Sequence, residues 1–321
     1  KSTREDVLEI IKTSKELGTY SEGSDQKKAL LVFESELDTL KRNKSGVNPI
    51  KPFLKKIDKI KSLDELQEVY CKNIGISAPF VGIGSNPDLN NSSVNIGWVY
   101  PGGLGLQRDY YVDNDQKTKE IREKYVKHVS KMLQFIDFSP TDADIAALKI
   151  LELETKLAVP RLDKVQSRDI RNFNNPKSIG ELSELTPVFD WDKFLYDMGI
   201  ESSPNELIVM QPNYMIALNK FLSSTDIEDL KTLMKWSTLD NSARYLSTEI
   251  EKANWEFFSK TLSGAKKQRE AEERALGTVS SSVGEAIGRL YVEAKFPPEA
   301  KENAEKMISN VIKAFQIRIE K

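Results

Sequence analysis

Imidazole and thiol chemistry in this chain rests on two residues. His128 is the single histidine and Cys71 the single cysteine among 321 residues. A zinc site of the HExxH type needs two histidines four residues apart, and one histidine cannot build it. A Ser-His-Asp or Cys-His relay could use only His128. That residue falls in the stretch Thr118–Ile136, where Ile121, Tyr125, Val129, Met132 and Ile136 form an apolar helical stripe. His128 lies on or beside that stripe, so the reading is a packed, hydrogen-bonded histidine. Cys71 follows Tyr70 in a helix-like run and reads as a small buried hydrophobe. With one cysteine, no intrachain disulfide forms.

Other groups look chemical at first and are not. Pro101–Asp109 reads PGGLGLQRD, a glycine-rich turn. It lacks the lysine and Ser/Thr of a phosphate loop, and the glycines near Gly82 complete no dinucleotide fingerprint. The reading is a structural turn. Carboxylates are plentiful, but no pair stands out from ordinary helix-surface charge. Asp190, Trp191 and Asp192 read as a helix start with a core aromatic, and Trp236 and Trp255 as core residues. No residue is nominated as catalytic, cofactor-binding or metal-ligating.

The elements that would position such groups are mostly helical. Thr3–Leu17, Gln26–Leu40, Ile50–Ile60, Ser62–Cys71, Thr118–Ile136, Thr141–Leu157, Ser178–Thr186, Asp190–Met198 and Tyr214–Phe221 carry helical periodicity. Ser62 and Glu65 form a capping pair, and Thr141 with Asp144 suggests another. Asp226–Phe258 reads as nearly continuous helix and Lys266–Leu276 as a further one. Phe80–Ile83 and Val94–Tyr100 are rich in β-branched and aromatic residues around a polar tract, which predicts one β-hairpin, the only substantial strand pair. Its loop holds Asn-x-Ser triplets at Asn90 and Asn91. Leu207–Met210 fits a short strand or an extended link. The fold class is therefore mostly α, a multi-helical lobe with one small β-hairpin.

Val279–Phe315 is a helical hairpin in the sequence. Val283, Ile287, Leu290, Tyr291 and Ala294 share one face of its first helix. Ala300, Ala304, Met307, Ile308, Val311 and Phe315 share one face of its second. Pro297 and Pro298 end the first helix by Phe296 and open the next. Bulk properties exclude whole classes of partner. The net charge of −2, from 47 basic and 49 acidic residues, offers no field for nucleic acid or an anionic membrane. No apolar run approaches the ~20 residues of a membrane span.

Four ordered motifs carry a family resemblance. GGLGLQRDYYVD at Gly102–Asp113 resembles the LGLP-x-RDYY signature of the neprilysin and endothelin-converting-enzyme family of zinc metallopeptidases. Its loop is one residue shorter, with Gln107 where the family has a proline and one more residue. Arg168–Leu195 is similar to the family's run of RD, an aromatic-Asn pair and P-x-F-x-W. LKTLMKW at Leu230–Trp236 and VGEAIGRLYVEAKF at Val283–Phe296 resemble L-x-x-L-M-x-W and AVGRLYVEAAF.

The resemblance implies a two-lobed enzyme whose zinc, HExxH and downstream ExxxD lie in a C-terminal lobe. The 321 residues then correspond to the N-terminal helical lobe, which would cap the active-site cavity and limit substrate size. Zinc is expected in the full-length parent and none in this chain. The implied partners are the catalytic C-terminal lobe and oligopeptide substrates. The implied compartment is extracytoplasmic, periplasmic or surface-attached in a bacterium, given the single cysteine. Arg108 and Asp109 are expected to fix the glycine turn to its helix, Tyr110 and Tyr111 to pack, and Arg289 to tether neighbouring helices. The hairpin from Val279 is expected to form lobe core, with the face of Met307, Val311 and Phe315 left uncovered where the catalytic lobe would follow. The alternative is a free-standing helical module that binds a peptide or protein without catalysis.

Overall fold

The computed structural model describes residues 3–18, 20–200 and 204–319; Lys1 and Lys321 lie outside them. Among these residues are fifteen α-helices and one four-stranded sheet. The mostly α class therefore holds. The chain forms two compact units, Arg42–Lys266 and a second assembled from Lys1–Lys41 with Lys267–Lys321.

Within Arg42–Lys266, two 19-residue helices, α7 (Gln116–Gln134) and α8 (Pro140–Ala158), pack as a pair. Ser139 caps α8, its hydroxyl accepting from the Asp142 N–H, with Pro140 at the first position. The helix thus starts one residue before the expected Thr141, with its cap two residues before it, because Ser139-Pro140 satisfies both cap and first turn. Around the pair pack α4 (Lys51–Asp58), α5 (Leu63–Lys72), α6 (Arg108–Val112), α9 (Ile179–Leu185), α10 (Trp191–Asp197), α11 (Pro212–Ser224), α12 (Ile227–Ser242) and α13 (Thr248–Trp255). The expected long helix from Asp226 breaks. Ala243–Tyr245 is a 3-10 turn, Ser247 recaps α13, and Glu256–Leu262 widens into a π-helix. Phe257 and Phe258 sit on that π-turn.

The predicted hairpin is β1 (Val81–Pro87) against β2 (Asn95–Pro101), antiparallel, with Ile83 opposite Val99. The expectation that it is the only substantial strand pair needs correction. β4 (Leu207–Val209) runs parallel to β2, and the two-residue β3 (Pro176–Lys177) closes the sheet in the order β1-β2-β4-β3. All three β4 side chains are buried. A three-residue apolar run shows no alternation, so its period could not separate strand from link.

In the second unit, α1 (Thr3–Leu17) and α2 (Asp25–Leu37) pack on α14 (Ala271–Lys295). Ile10, Ile11, Leu30, Phe33, Leu276, Val279, Ile287 and Leu290 form its core. Gly18 ends α1 at φ +60°, a conformation glycine adopts without a Cβ penalty. α3 (Thr39–Ser45) follows α2 where a polar break was expected to begin at Asn43. α14 merges the expected Lys266–Leu276 helix with the first arm of the hairpin, kinking at Val283 (φ −136°, ψ 44°). It stops at Lys295, and Pro298 opens α15 (Pro298–Ile319), as the two prolines predict. α15 buries no residue, so the second arm is not core here.

Candidate functional site: a buried carboxylate network beneath the glycine turn

The glycine turn is tied down by close approach. A Cβ at Gly102 would lie 2.6 Å from the Pro79 carbonyl carbon, and one at Gly105 would lie 1.9 Å from the Tyr125 hydroxyl. Only glycine fits at these two positions without displacing a neighbour. The turn delivers Arg108–Val112 as a short helix. The Arg108 guanidinium donates through Nε to the Arg161 carbonyl at 2.9 Å, and Asp109 pairs with Lys164 at 2.6 Å. The charge-assisted anchoring is present, but its partners, Arg161 and Lys164, lie in the segment after α8 and not on the helix that the turn enters.

Tyr111 does more than pack. Its hydroxyl accepts from the Leu106 N–H at 2.8 Å and donates to Glu154 Oε2 at 2.9 Å. The Tyr125 hydroxyl donates to the same oxygen at 2.6 Å, and the Gly105 N–H donates to Glu154 Oε1 at 3.1 Å. Trp236 Nε1 then donates to the Tyr125 oxygen at 3.0 Å. Glu154 is only 1% exposed. Burial raises its carboxyl, while the hydrogen bonds from Tyr125, Tyr111 and Gly105 oppose that rise. Partly buried Asp240 is near enough to feel its charge. Burial first, and Glu154 second, push Asp240 up to about 7, against a hydrogen bond from Asn254 Nδ2 at 3.0 Å.

This network links the RDYY turn, α7, α8 and the LKTLMKW helix α12 through one carboxylate. Three donors converge on Glu154, so the charged form is well solvated by the protein. Glu154 is enclosed, and its charge acts on Asp240 through space rather than through a hydrogen bond. Sequence reasoning did not single out Glu154 or Asp240. The signal was available: Glu154 falls in the apolar series Ala147, Ile150, Leu157 of α8, and a carboxylate on a buried stripe demands partners.

His128 packs as expected. It stacks on Phe257 with centroids 4.8 Å apart and planes 9° apart, and meets Trp236 and Phe258 edge-on. The expected hydrogen bonding is incomplete, because Nε2 has no partner. Burial, with Lys131 adding, lowers its pKa to about 3. Cys71 is buried, and burial, with Asp197 adding, pushes its thiol up to about 12. Zinc prefers accessible imidazole, thiolate and carboxylate in a set of three or four. One histidine enclosed by aromatic rings and one protonated thiol do not fit it. Among the described residues no group of three or more His, Cys, Asp and Glu is placed to hold a metal ion.

The remaining motifs also serve packing. Trp191, Phe189 and Phe194 form an aromatic cluster, with Gln67 donating to the Asp190 carbonyl and accepting its N–H. Asp190 caps α10 as expected. Trp236 is 1% exposed, but Trp255 is only partly buried, at the junction of α13 with the π-turn, rather than core. Arg289 reaches Asp25 at 3.8 Å, linking α14 to α2.

Among the described residues, fifteen helices, a small four-stranded sheet and a signature turn clamped on a buried glutamate define the class by fold, a mostly α domain. The chain matches Peptidase family M13 over residues 1–321 and belongs to that family, as an N-terminal family domain. It is 25% identical over 324 residues to endothelin-converting enzyme 1 of Rattus norvegicus, covering 96% of this chain and 42% of that protein. The crystal structure of the zinc metalloprotease ZMP1 of Mycobacterium tuberculosis in complex with inhibitor superposes with a TM-score of 0.88. Identity there is 26%, covering 99% of this chain and 48% of that one. PepO from Lactobacillus rhamnosis shares the fold at a TM-score of 0.81 and 17% identity. The chain thus spans less than half the length of endothelin-converting enzyme 1 and of ZMP1.

Proposed function

We propose that residues 1–321 act as the non-catalytic N-terminal lobe of a zinc metalloendopeptidase that hydrolyses oligopeptides. The lobe caps the active-site cavity and restricts access to short peptides. Its partner is the zinc-bearing C-terminal lobe of the same polypeptide, and zinc belongs to that lobe. The reading places the enzyme outside the cytoplasm, periplasmic or surface-attached. The observation that carries the proposal is the family match along the whole chain, beside a donor set that does not fit zinc.

The test has two arms. The purified chain, stripped with a chelator and dialysed against zinc, is expected to retain no stoichiometric metal and to cleave no fluorogenic oligopeptide. One tightly held zinc per chain sinks the non-catalytic reading. The polypeptide read on past Lys321 is expected to cleave peptides of roughly ten residues and to spare a folded protein. A reading frame that stops without a catalytic lobe favours the free-standing binding module instead.

A further inference from the structure

α8 carries two apolar stripes. One, with Ala147, Ile150 and Leu157, is buried in the core. The other, Ile145, Leu148 and Leu151, recurs every three residues on the opposite side of the helix. Ile145 and Leu148 are 63% and 62% exposed, and Leu151 is half-buried. With Val126 of α7, Leu148 and Leu151 line a groove of about 510 Å³, within the roughly 300–1,000 Å³ of ordinary ligand sites. The rest of its lining is Lys119, Arg122, Glu123 and Lys127, three cations to one anion.

These cations differ from the lysines of α8. Lys149 pairs with Glu152 and Asp229, and Lys156 with Glu152. Among the described residues, no carboxylate lies within ion-pairing distance of Lys119, Arg122 or Lys127. Arg122 is held from behind, its Nη1 donating to the Tyr110 and Asp113 carbonyls at 2.7 and 2.8 Å. Those acceptors are neutral, so the guanidinium is oriented while its charge stays uncompensated. Glu123 stands one turn from both lysines and offsets one charge, which leaves the rim positive.

We infer that this groove binds an acidic amphipathic peptide segment. Large apolar side chains sit on the floor of Val126, Leu148 and Leu151, with Asp or Glu beside them on the cationic rim. The occupant follows from complementarity. A segment acidic throughout would leave the floor without an apolar partner. One with basic flanks would set like charges against Lys119, Arg122 and Lys127. The floor lies between two helices, a setting in which a further amphipathic helix lays down apolar residues three and four apart. The inference stands apart from the proposed function, and either can fail without the other.

Fluorescence anisotropy with three labelled probes of about fourteen residues, about four helical turns each, tests this. The first probe sets leucines three and four apart on one face, with glutamates on both flanks. The second replaces the glutamates by lysines, and the third replaces the leucines by alanines. The first is expected to bind the 321-residue chain at least tenfold more tightly than the others. Its binding should weaken several-fold between about 0.05 M and about 0.5 M salt. Leu148→Glu, and Lys119→Glu combined with Lys127→Glu, should each weaken it at least tenfold at an unchanged urea midpoint, since these side chains are exposed. Failure of the first probe to bind, equal binding of the glutamate and lysine probes, or binding untouched by either variant overturns the inference. So does loss of binding in the polypeptide read on past Lys321, kept zinc-free by a chelator, because the groove is then covered. A concentration-dependent mass that Leu148→Glu abolishes puts a second copy in the groove. Capture by phosphatidylglycerol vesicles without probe binding puts an anionic membrane there. Each of these two results overturns the inference as well.

Discussion

Asp240→Asn is expected to stabilise the protein at alkaline pH and to leave it unchanged in acid. Asp240 sits near the buried Glu154 carboxylate, and burial and Glu154 raise it from 3.8 to about 7. Between these values the folded state holds a proton that the unfolded state has released. Stability therefore falls as pH rises through that window, and the loss is complete above about pH 7. At 1.36 kcal/mol per unit the shift amounts to at most about 4 kcal/mol, and water reaching a partly buried group lowers this to about 2–4 kcal/mol. The amide of asparagine carries no charge and keeps an oxygen for Asn254 Nδ2, so it removes the repulsion without removing the contact.

Urea unfolding followed by tryptophan fluorescence reads this directly. All four tryptophans, Trp98, Trp191, Trp236 and Trp255, lie within Arg42–Lys266, so the signal belongs to the unit that holds Asp240. At pH 4 the variant and the parent chain should share a midpoint. At pH 8 the variant's midpoint should be higher at unchanged m-value, and its stability flatter between pH 4 and 8. A variant less stable at pH 8, or a gain that is the same at both pH values, refutes the charge argument.

Three further outcomes follow from the same packing. His128→Phe reverses the pH window: the folded imidazole, held at about 3 against 6.5 unfolded, is stabilising only in its neutral form, and that contribution is lost as pH falls below 6.5. The variant should gain about 2 kcal/mol more at pH 5 than at pH 8, read by the same urea titration. Gly105→Ala puts a methyl on the Tyr125 hydroxyl and should cost at least ~2 kcal/mol at every pH, with a near-ultraviolet circular dichroism change as the tyrosine shifts. Metal analysis of the chain after dialysis against zinc should find less than one zinc per chain.

Much of the fold was legible because its signals are local. Periodic apolar positions marked α1, α4, α5, α7, α8, α10 and α11 to within two residues or so at most ends. Pro297-Pro298 marked the break before α15, and Ser62 its cap on α5. Where local signals failed, long-range contacts were the cause. β4 is a strand because the edge of β2 offers Gly97, Trp98 and Val99 as partners, a fact no window around Leu207 contains. The helix from Asp226 breaks near Ser242 because Ser247 recaps it, where propensity alone continues it. The clamp on Glu154 joins residues as far apart as Tyr125 on α7 and Trp236 on α12, 111 positions, so it could not be assembled from spacing.

The sequence by itself determined the class of fold, the family and the limits on metal chemistry. One histidine, one cysteine and four ordered motifs are properties of composition and order, and folding does not alter them. Tertiary structure decided what those motif residues do. It brought Tyr111, Tyr125 and the Gly105 amide onto a single buried carboxylate, turning a structural turn into an internal clamp. It also divided the hairpin from Val279 to Phe315, burying Ile287 and Leu290 of α14 and leaving the stripe of α15 uncovered. The two stripes look alike in sequence because amphipathicity records that a face is to be buried. Only the arrangement of the other helices says whether the chain itself supplies the cover.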